Sequence, residues 1–273
     1  MLAKLTKYEF RATGRMLGIL YAALIIIAIV TRIELAIQSA TNGGMSMVMP
    51  TFIVMMLYIS AIVAIGVMTL ILIIQRFYKN LLQNEGYLMH TLPVKMWQHI
   101  ASKLIASVVW CFVSMFVICL SFIIIGSLGI DFNDFFTIMT NISLRGYGNE
   151  VLNGIGFMFE LFILMIAGAA ASILQIYLAM AIGQLVDNHK LLCSFGAYIG
   201  INVVLQIITS IVMSISAGGS HPYMSYGILN FFNTDSLTGM HVFFWTLIAV
   251  YAIKAALFFA GTNYILKNRL NLE

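Results

Sequence analysis

The sequence predicts an all-α membrane protein of six transmembrane helices. Of its 273 residues, 62% are hydrophobic and only 9% are charged. A soluble domain carries about 25% charged residues, because charge keeps its surface wet and unassociated. Six apolar runs each reach the ~20 residues that cross a ~30 Å hydrocarbon layer as helix, and none shows the short alternating segments of a barrel strand. Hydrocarbon offers the backbone no hydrogen-bond partner, so uninterrupted apolar runs must be helices.

The head, residues 1–16, carries Lys4, Lys7, Arg11 and Arg15 at intervals of three and four, which stacks them on one helical face. That pattern fits an N-terminal interfacial helix lying on anionic lipid at the inner surface. It fits equally well a plain positive-inside anchor, since Glu9 intrudes among Leu2, Leu5 and Met16 on the other face. Spans follow at about 17–37, 50–74, 100–125, 157–185, 191–216 and 241–266. A basic head before an apolar run also marks a secretory signal, but five further spans follow and no clean small-residue cleavage site stands after the first.

Six spans place both termini on one side. Eleven cations (Lys4, Lys7, Arg11, Arg15, Arg76, Lys79, Lys95, Lys103, Lys190, Lys267 and Arg269) fall on that side, against Arg32 and Arg145 opposite. Both termini are therefore expected in the cytoplasm. No solvent-sized domain interrupts the pattern, so residues 1–273 read as a single membrane domain. The outer loop 217–240 mixes apolar and turn residues with little charge; it is either a re-entrant element covered by protein or an ordinary loop with interfacial aromatics.

The inner loop after span 2 reads QRFYKNLLQNEGYLMHTLPVKMWQH, too apolar for a solvated connector. Gly86 breaks helix, and Pro93 disfavours it at Leu92 while suiting the first turn of the next helix. The expected product is a short helical element near 87–91 with its apolar side chains covered, either by a soluble partner's cleft or by the bilayer surface. Those residues carry a resemblance. RFYKNLL, EGYLMHTLPV and Ser102-Lys103-Leu104, with the head KYEFRATGR, IGQLVDNHK at 182–190 and the closing LNLE, resemble permease subunits of ABC transporters of the type-two exporter superfamily, in the branch common among Firmicutes. The resemblance implies a coupling helix, formed by Glu85, Gly86, Tyr87, Leu88, Met89, Thr91, Leu92 and Pro93, that docks on an ATPase subunit. It also implies a second permease copy or related chain, ATP and Mg bound by the ATPase, and residence in a bacterial cell membrane. Gln83-Asn84-Glu85 stands where the family carries Gly-Asp-Glu.

Independently, the chain contains no GxxxxGK[ST] phosphate loop, so it cannot cradle ATP in that way. No catalytic residues, metal ligands or cofactor site are expected. Asp131, Asp134, His90, His99 and His189 are scattered over loops and a turn, no HExxH occurs, and Cys111, Cys119 and Cys193 lie in or beside apolar runs. Dispersed cations exclude a nucleic-acid patch. Within the spans, Gln175, Asn202, Gln206 and Lys254 reach comparable depth; they are expected to cluster as a translocation path or as structural glue. Glu160 lies too near the outer boundary to pair with Lys254. The small residues Gly168 and Ser172 on span 4 and the Gly196/Gly200 pair on span 5 mark helix packing or a dimer face.

The function expected from this pattern is the membrane subunit of an ATP-driven exporter. An ion-coupled secondary transporter would show paired mid-membrane acids and broken helices, and a non-transport scaffold or sensor would use the inner loop to recruit a regulator. Apolar spans and an aromatic outer loop suit an amphipathic cargo.

Overall fold

The computed structural model describes residues 2–40, 45–82, 96–126, 148–186, 189–216 and 237–268. Six α-helices make up nearly all of them: α1 (Leu2–Ala40), α2 (Met45–Phe77), α3 (Met96–Gly126), α4 (Gly148–Gly183), α5 (Lys190–Ser216) and α6 (Leu237–Asn268). A π-helical turn, Tyr78–Leu82, closes α2. All six helices are long and apolar enough to cross a membrane. Even the shortest, α5, has 27 residues, about 40 Å at 1.5 Å per residue. No strand occurs among the described residues. The coupling segment 85–93 and most of the outer loop, 217–236, lie outside the described residues.

One expectation is corrected at the N-terminus. The head does not form an interfacial helix separate from span 1, because Leu2–Ala40 is one uninterrupted helix. A helix lying flat on the membrane needs a break before the span, and no described residue between them leaves the helical conformation. The reason lies in a single buried face: Thr13, Leu17, Tyr21, Leu24, Ala28 and Thr31, spaced by three and four, are all buried. Lys7, Arg11 and Arg15 stay exposed. Glu9, out of place in a basic head, has a partner: its Oε2 accepts from Arg76 Nη1 of α2 at 3.5 Å.

The chain divides into two compact units. The first comprises Met1–Arg76 and Ile105–Tyr147. Its core joins Leu17, Tyr21, Leu24 and Ala28 of α1 to Tyr58, Ile65 and Leu72 of α2, with Trp110, Val113 and Val117 of α3 packed against them. The seven-residue spacing on α2 is that of helices crossing at a shallow angle. Polar contacts thread this core. Tyr21 Oη lies 2.7 Å from Ser114 Oγ, Thr69 Oγ1 lies 3.1 Å from the same oxygen, and Tyr58 Oη lies 2.8 Å from Ser121 Oγ. Gly14 admits the Trp110 ring, whose edge would come within 3.2 Å of any Cβ there. Arg32 Nη1 donates to the Ile124 carbonyl at 2.8 Å, placing a cation on the negative end of α3.

The second unit comprises Phe77–Leu104 and Gly148–Glu273. Here α4 packs against both α5 and α6. Glu160 meets His241, and Leu178 meets Gly261 further along. Partner positions advance together, so α4 and α6 run in the same direction. Between α4 and α5 the chain turns tightly: Leu185 N donates to Ile182 O at 3.0 Å, and the carbonyl of His189 accepts the first bond of α5 from Cys193 N at 3.0 Å. His189 has φ 59°, a left-handed conformation that few non-glycine residues adopt. The turn ends α4 at Gly183, two residues short of the predicted boundary, because α5 passes directly over it: a Cβ on Gly183 would lie 2.6 Å from Ser194 N.

Replacing Gly183 with Ala is therefore expected to force the two helices apart, at a cost of about 1–3 kcal/mol. Gly168→Ala, where a Cβ meets nothing within 4 Å, is expected to change stability by less than about 0.5 kcal/mol. Thermal unfolding of the two variants in detergent compares them directly.

Candidate functional site

The segment 83–95 lies outside the described residues, but both of its anchors are described. On the leading side, α2 widens into the π turn; such insertions often mark functional positions. Phe77 is fully buried and its ring stacks on Tyr177 of α4, with centroids 4.0 Å apart and planes 11° from parallel. Near-parallel stacking at this separation is a favourable aromatic arrangement. Leu81 and Leu82 of the π turn are buried as well. On the returning side, α3 begins at Met96 and buries His99, Ile100, Ser102 and Lys103 within its first two turns. Ser102 Oγ donates to the His99 carbonyl at 2.9 Å. Lys103, expected as a wet inner-surface charge, is 4% exposed.

On α4, Ile173, Leu174, Tyr177, Met180 and Ala181 are buried. On α6, Phe258, Thr262 and Leu266 are buried at the same end, where Gly261 lets the Leu178 side chain approach to 3.1 Å of a Cβ position. Both anchors therefore belong to the unit built on α4, α5 and α6. The greater parts of α2 and α3 belong to the other unit.

Among the described residues no hydrogen bond joins Gln175, Asn202, Gln206 and Lys254. Gln175 is buried, with Nε2 unpartnered among the described residues. Asn202 and Gln206 instead lie on an exposed face of α5, where Asn202 Nδ2 donates to the Tyr198 carbonyl of its own helix at 2.8 Å. Lys254 is half-buried, its Nζ 5.4 Å from the centroid of Tyr251 one turn back on α6, within range of a cation–π attraction. Equal depth in the membrane did not mean equal azimuth. The small residues are not points of close packing within the chain: a Cβ on Gly168, Gly196 or Gly200 meets no neighbour within 4 Å, and Ser172 is exposed, its hydroxyl donating to the Gly168 carbonyl, which leaves the dimer-face alternative. Close helix approach occurs instead at Gly14, Gly183 and Gly261.

Glu160 pairs with His241, a partner not foreseen from the sequence. Its Oε1 lies 2.8 Å from Nδ1 of the imidazole. The pairing was legible in principle, since both residues sit at the starts of spans that run in the same direction. The Tyr–Ser contacts of the first unit were missed too, although Ser107, Ser114 and Ser121 recur every seven residues on α3. No group of three or more metal-ligating side chains occurs among the described residues.

Comparison of the chain with protein families, curated proteins and solved structures yields no match.

The Phe77–Tyr177 stack sets a testable expectation. Tyr177→Phe preserves the stacked ring and is expected to retain near-native stability, whereas Tyr177→Ala opens a cavity costing about 3–5 kcal/mol. Detergent thermal melts of both variants check it.

Proposed function

We propose that the chain is the membrane-spanning subunit of an ATP-driven exporter, working with a separate ATPase and a second permease in a bacterial cell membrane. The observation that carries this reading is the inner-loop segment together with its anchors. Tyr87, Leu88, Met89 and Leu92 are too apolar to be left in water, and the residues on either side of that segment, Phe77, Leu81 and Leu82 before it and His99, Ile100, Ser102 and Lys103 after it, are buried. An apolar segment between two buried flanks suits the transmission of force better than a solvated connector would. The distribution of Lys and Arg puts this segment and both termini in the cytoplasm. Since the sequence lacks a phosphate loop, ATP and Mg belong to the partner.

In this scheme nucleotide closes the ATPase subunits, and Glu85 to Pro93 dock in a cleft on one of them. The displacement passes through the π turn and the first turns of α3 into α4. An amphipathic cargo suits the largely apolar spans and the aromatic outer loop.

A proton-coupled secondary transporter is a second reading, favoured by one observation: the contact between the buried Glu160 and the half-buried His241. Transport driven by nucleotide in the absence of a proton gradient separates the two.

Replacing Tyr87 and Leu88 together with Asp is expected to leave insertion intact and abolish co-purification of the ATPase. Undiminished association in the pull-down counts against the docking assignment.

A further inference from the structure

One face of α1 is buried in the first unit; away from it runs an exposed row whose chemistry changes along its length. Lys7, Arg11 and Arg15 are exposed and recur every fourth residue, which stacks them one above another. Gly18 and Ala22 continue the row and are exposed too, and a Cβ on Gly18 would meet nothing within 4 Å. Exposed Ile26 follows. The row is cationic at one end, shallow in the middle and apolar beyond.

A contact elsewhere on the helix gives the depth of the cations. The apolar run of α2 gives way to Gln75 and Arg76, and Arg76 Nη1 meets Glu9 Oε2 at 3.5 Å. Glu9 of α1 therefore stands at the level of the lipid headgroups. Arg11 and Arg15 follow it by two and six residues, about 3 and 9 Å toward the hydrocarbon, and Lys7 lies about 3 Å outward. Together the three cations cross a headgroup layer about 5–8 Å thick. Because α1 is unbroken, they stand upright in that layer instead of lying on its surface. From Arg15 to Ile26 the row runs eleven residues, about 16 Å, one leaflet's share of a ~30 Å hydrocarbon core.

Like charges four residues apart on a helix repel. None of the three cations has an ion-pair or hydrogen-bond partner among the described residues, and Glu9, the one acid of the head, is engaged by Arg76. Where water gives way to acyl chains, the anion at hand is a lipid phosphate, within reach of Arg15 along its own stem.

We propose that the face of α1 from Lys7 to Ile26 binds an acidic phospholipid of the adjoining leaflet. Arg11 and Arg15 hold its phosphate, Lys7 meets the outer edge of the headgroup, and one acyl chain lies over Gly18 and Ala22 as far as Ile26. Charge complementarity selects the anionic headgroup, because a zwitterionic one brings a cation of its own to a row of three positive side chains. Binding of this kind requires neither an ATPase nor a chosen sidedness, so it stands or falls apart from the export reading.

The test uses the full chain purified in mild detergent and titrated with dioleoyl phosphatidylglycerol or dioleoyl phosphatidylcholine, with bound lipid counted by native mass spectrometry. Wild type is expected to prefer phosphatidylglycerol by at least about tenfold, and Arg11→Gln/Arg15→Gln to lose roughly fivefold for each cation removed. Lys190→Gln/Lys267→Gln, which takes two cations from other helices, is expected to leave the preference unchanged. If the Arg11→Gln/Arg15→Gln variant fails to insert, Gly18→Leu serves: it keeps every cation, fills the shallow stretch and is expected to weaken phosphatidylglycerol binding several-fold. Parity between the two lipids in wild type, a preference that survives Arg11→Gln/Arg15→Gln, an equal loss in Lys190→Gln/Lys267→Gln, or unchanged binding in Gly18→Leu overturns the proposal. So does loss of a dimer in place of loss of lipid, which gives this face to a second copy of the chain.

Discussion

Hydrocarbon cannot hydrogen-bond, and most of what the structure does follows from that constraint. Every backbone N–H and C=O within a span must find its partner in the same helix. Side-chain polar groups face the same demand, and the chain meets it in three ways. Hydroxyls turn back onto their own helix: Thr31 onto Ile27, Thr69 onto Ile65, Thr209 onto Leu205 and Thr262 onto Phe258, each at 2.7 or 2.8 Å. Tyr21, Tyr58 and Thr69 reach across to serines of α3, trading solvent for interhelical bonds. Such bonds average only about 0.6 kcal/mol in membranes, so their value lies as much in fixing rotation and register as in strength. The few ions are the third case. Arg32 caps a helix end, Arg76 takes Glu9, and Glu160 takes His241.

Those three solutions differ in how openly they are written in the sequence. The spans were legible because hydropathy needs no partner. Their ends were less so, since α1 continues for a full head and α2 extends back through Pro50 to Met45, beyond the apolar runs themselves. Pro50 is the sixth residue of α2 and lacks the N–H that would bond the Ser46 carbonyl, which hides the true start of the helix from a proline-based reading. Hydropathy records how deep a residue lies, whereas helix continuity depends on which face is buried. Thr13 and Leu17 share a buried stripe, and that stripe binds the head to the span.

The same distinction explains which site residues could be found. Asn202, Gln206, Gln175 and Lys254 share a depth, and a one-dimensional reading groups them. Three-dimensional placement separates Gln175, inside the packing of α4, from the two amides on the exposed face of α5. Gly196 and Gly200 follow the amides outward, while Gly183, unremarkable in the sequence, is where α5 crosses α4 most closely. Glu160 and His241 coincide in both depth and direction, which made theirs the one polar pairing that span order alone contained. Residues 85–93 stand out by composition, as an apolar stretch between two spans, and lie outside the described residues. The structure contributes what flanks them, the Phe77–Tyr177 stack and the buried start of α3.

That flanking burial gives the functional reading its physical content. In the proposed reading, the apolar segment between those flanks works only if it faces the compartment where a nucleotide-driven partner resides. Sidedness is therefore the decisive quantity. In a chain with Cys111, Cys119 and Cys193 replaced, single cysteines at Tyr87 and Asn133 report it through a membrane-impermeant maleimide applied to intact cells. The account predicts labelling of Asn133→Cys at once and of Tyr87→Cys only after the membrane is opened. Labelling of Tyr87→Cys from outside the intact cell would contradict it.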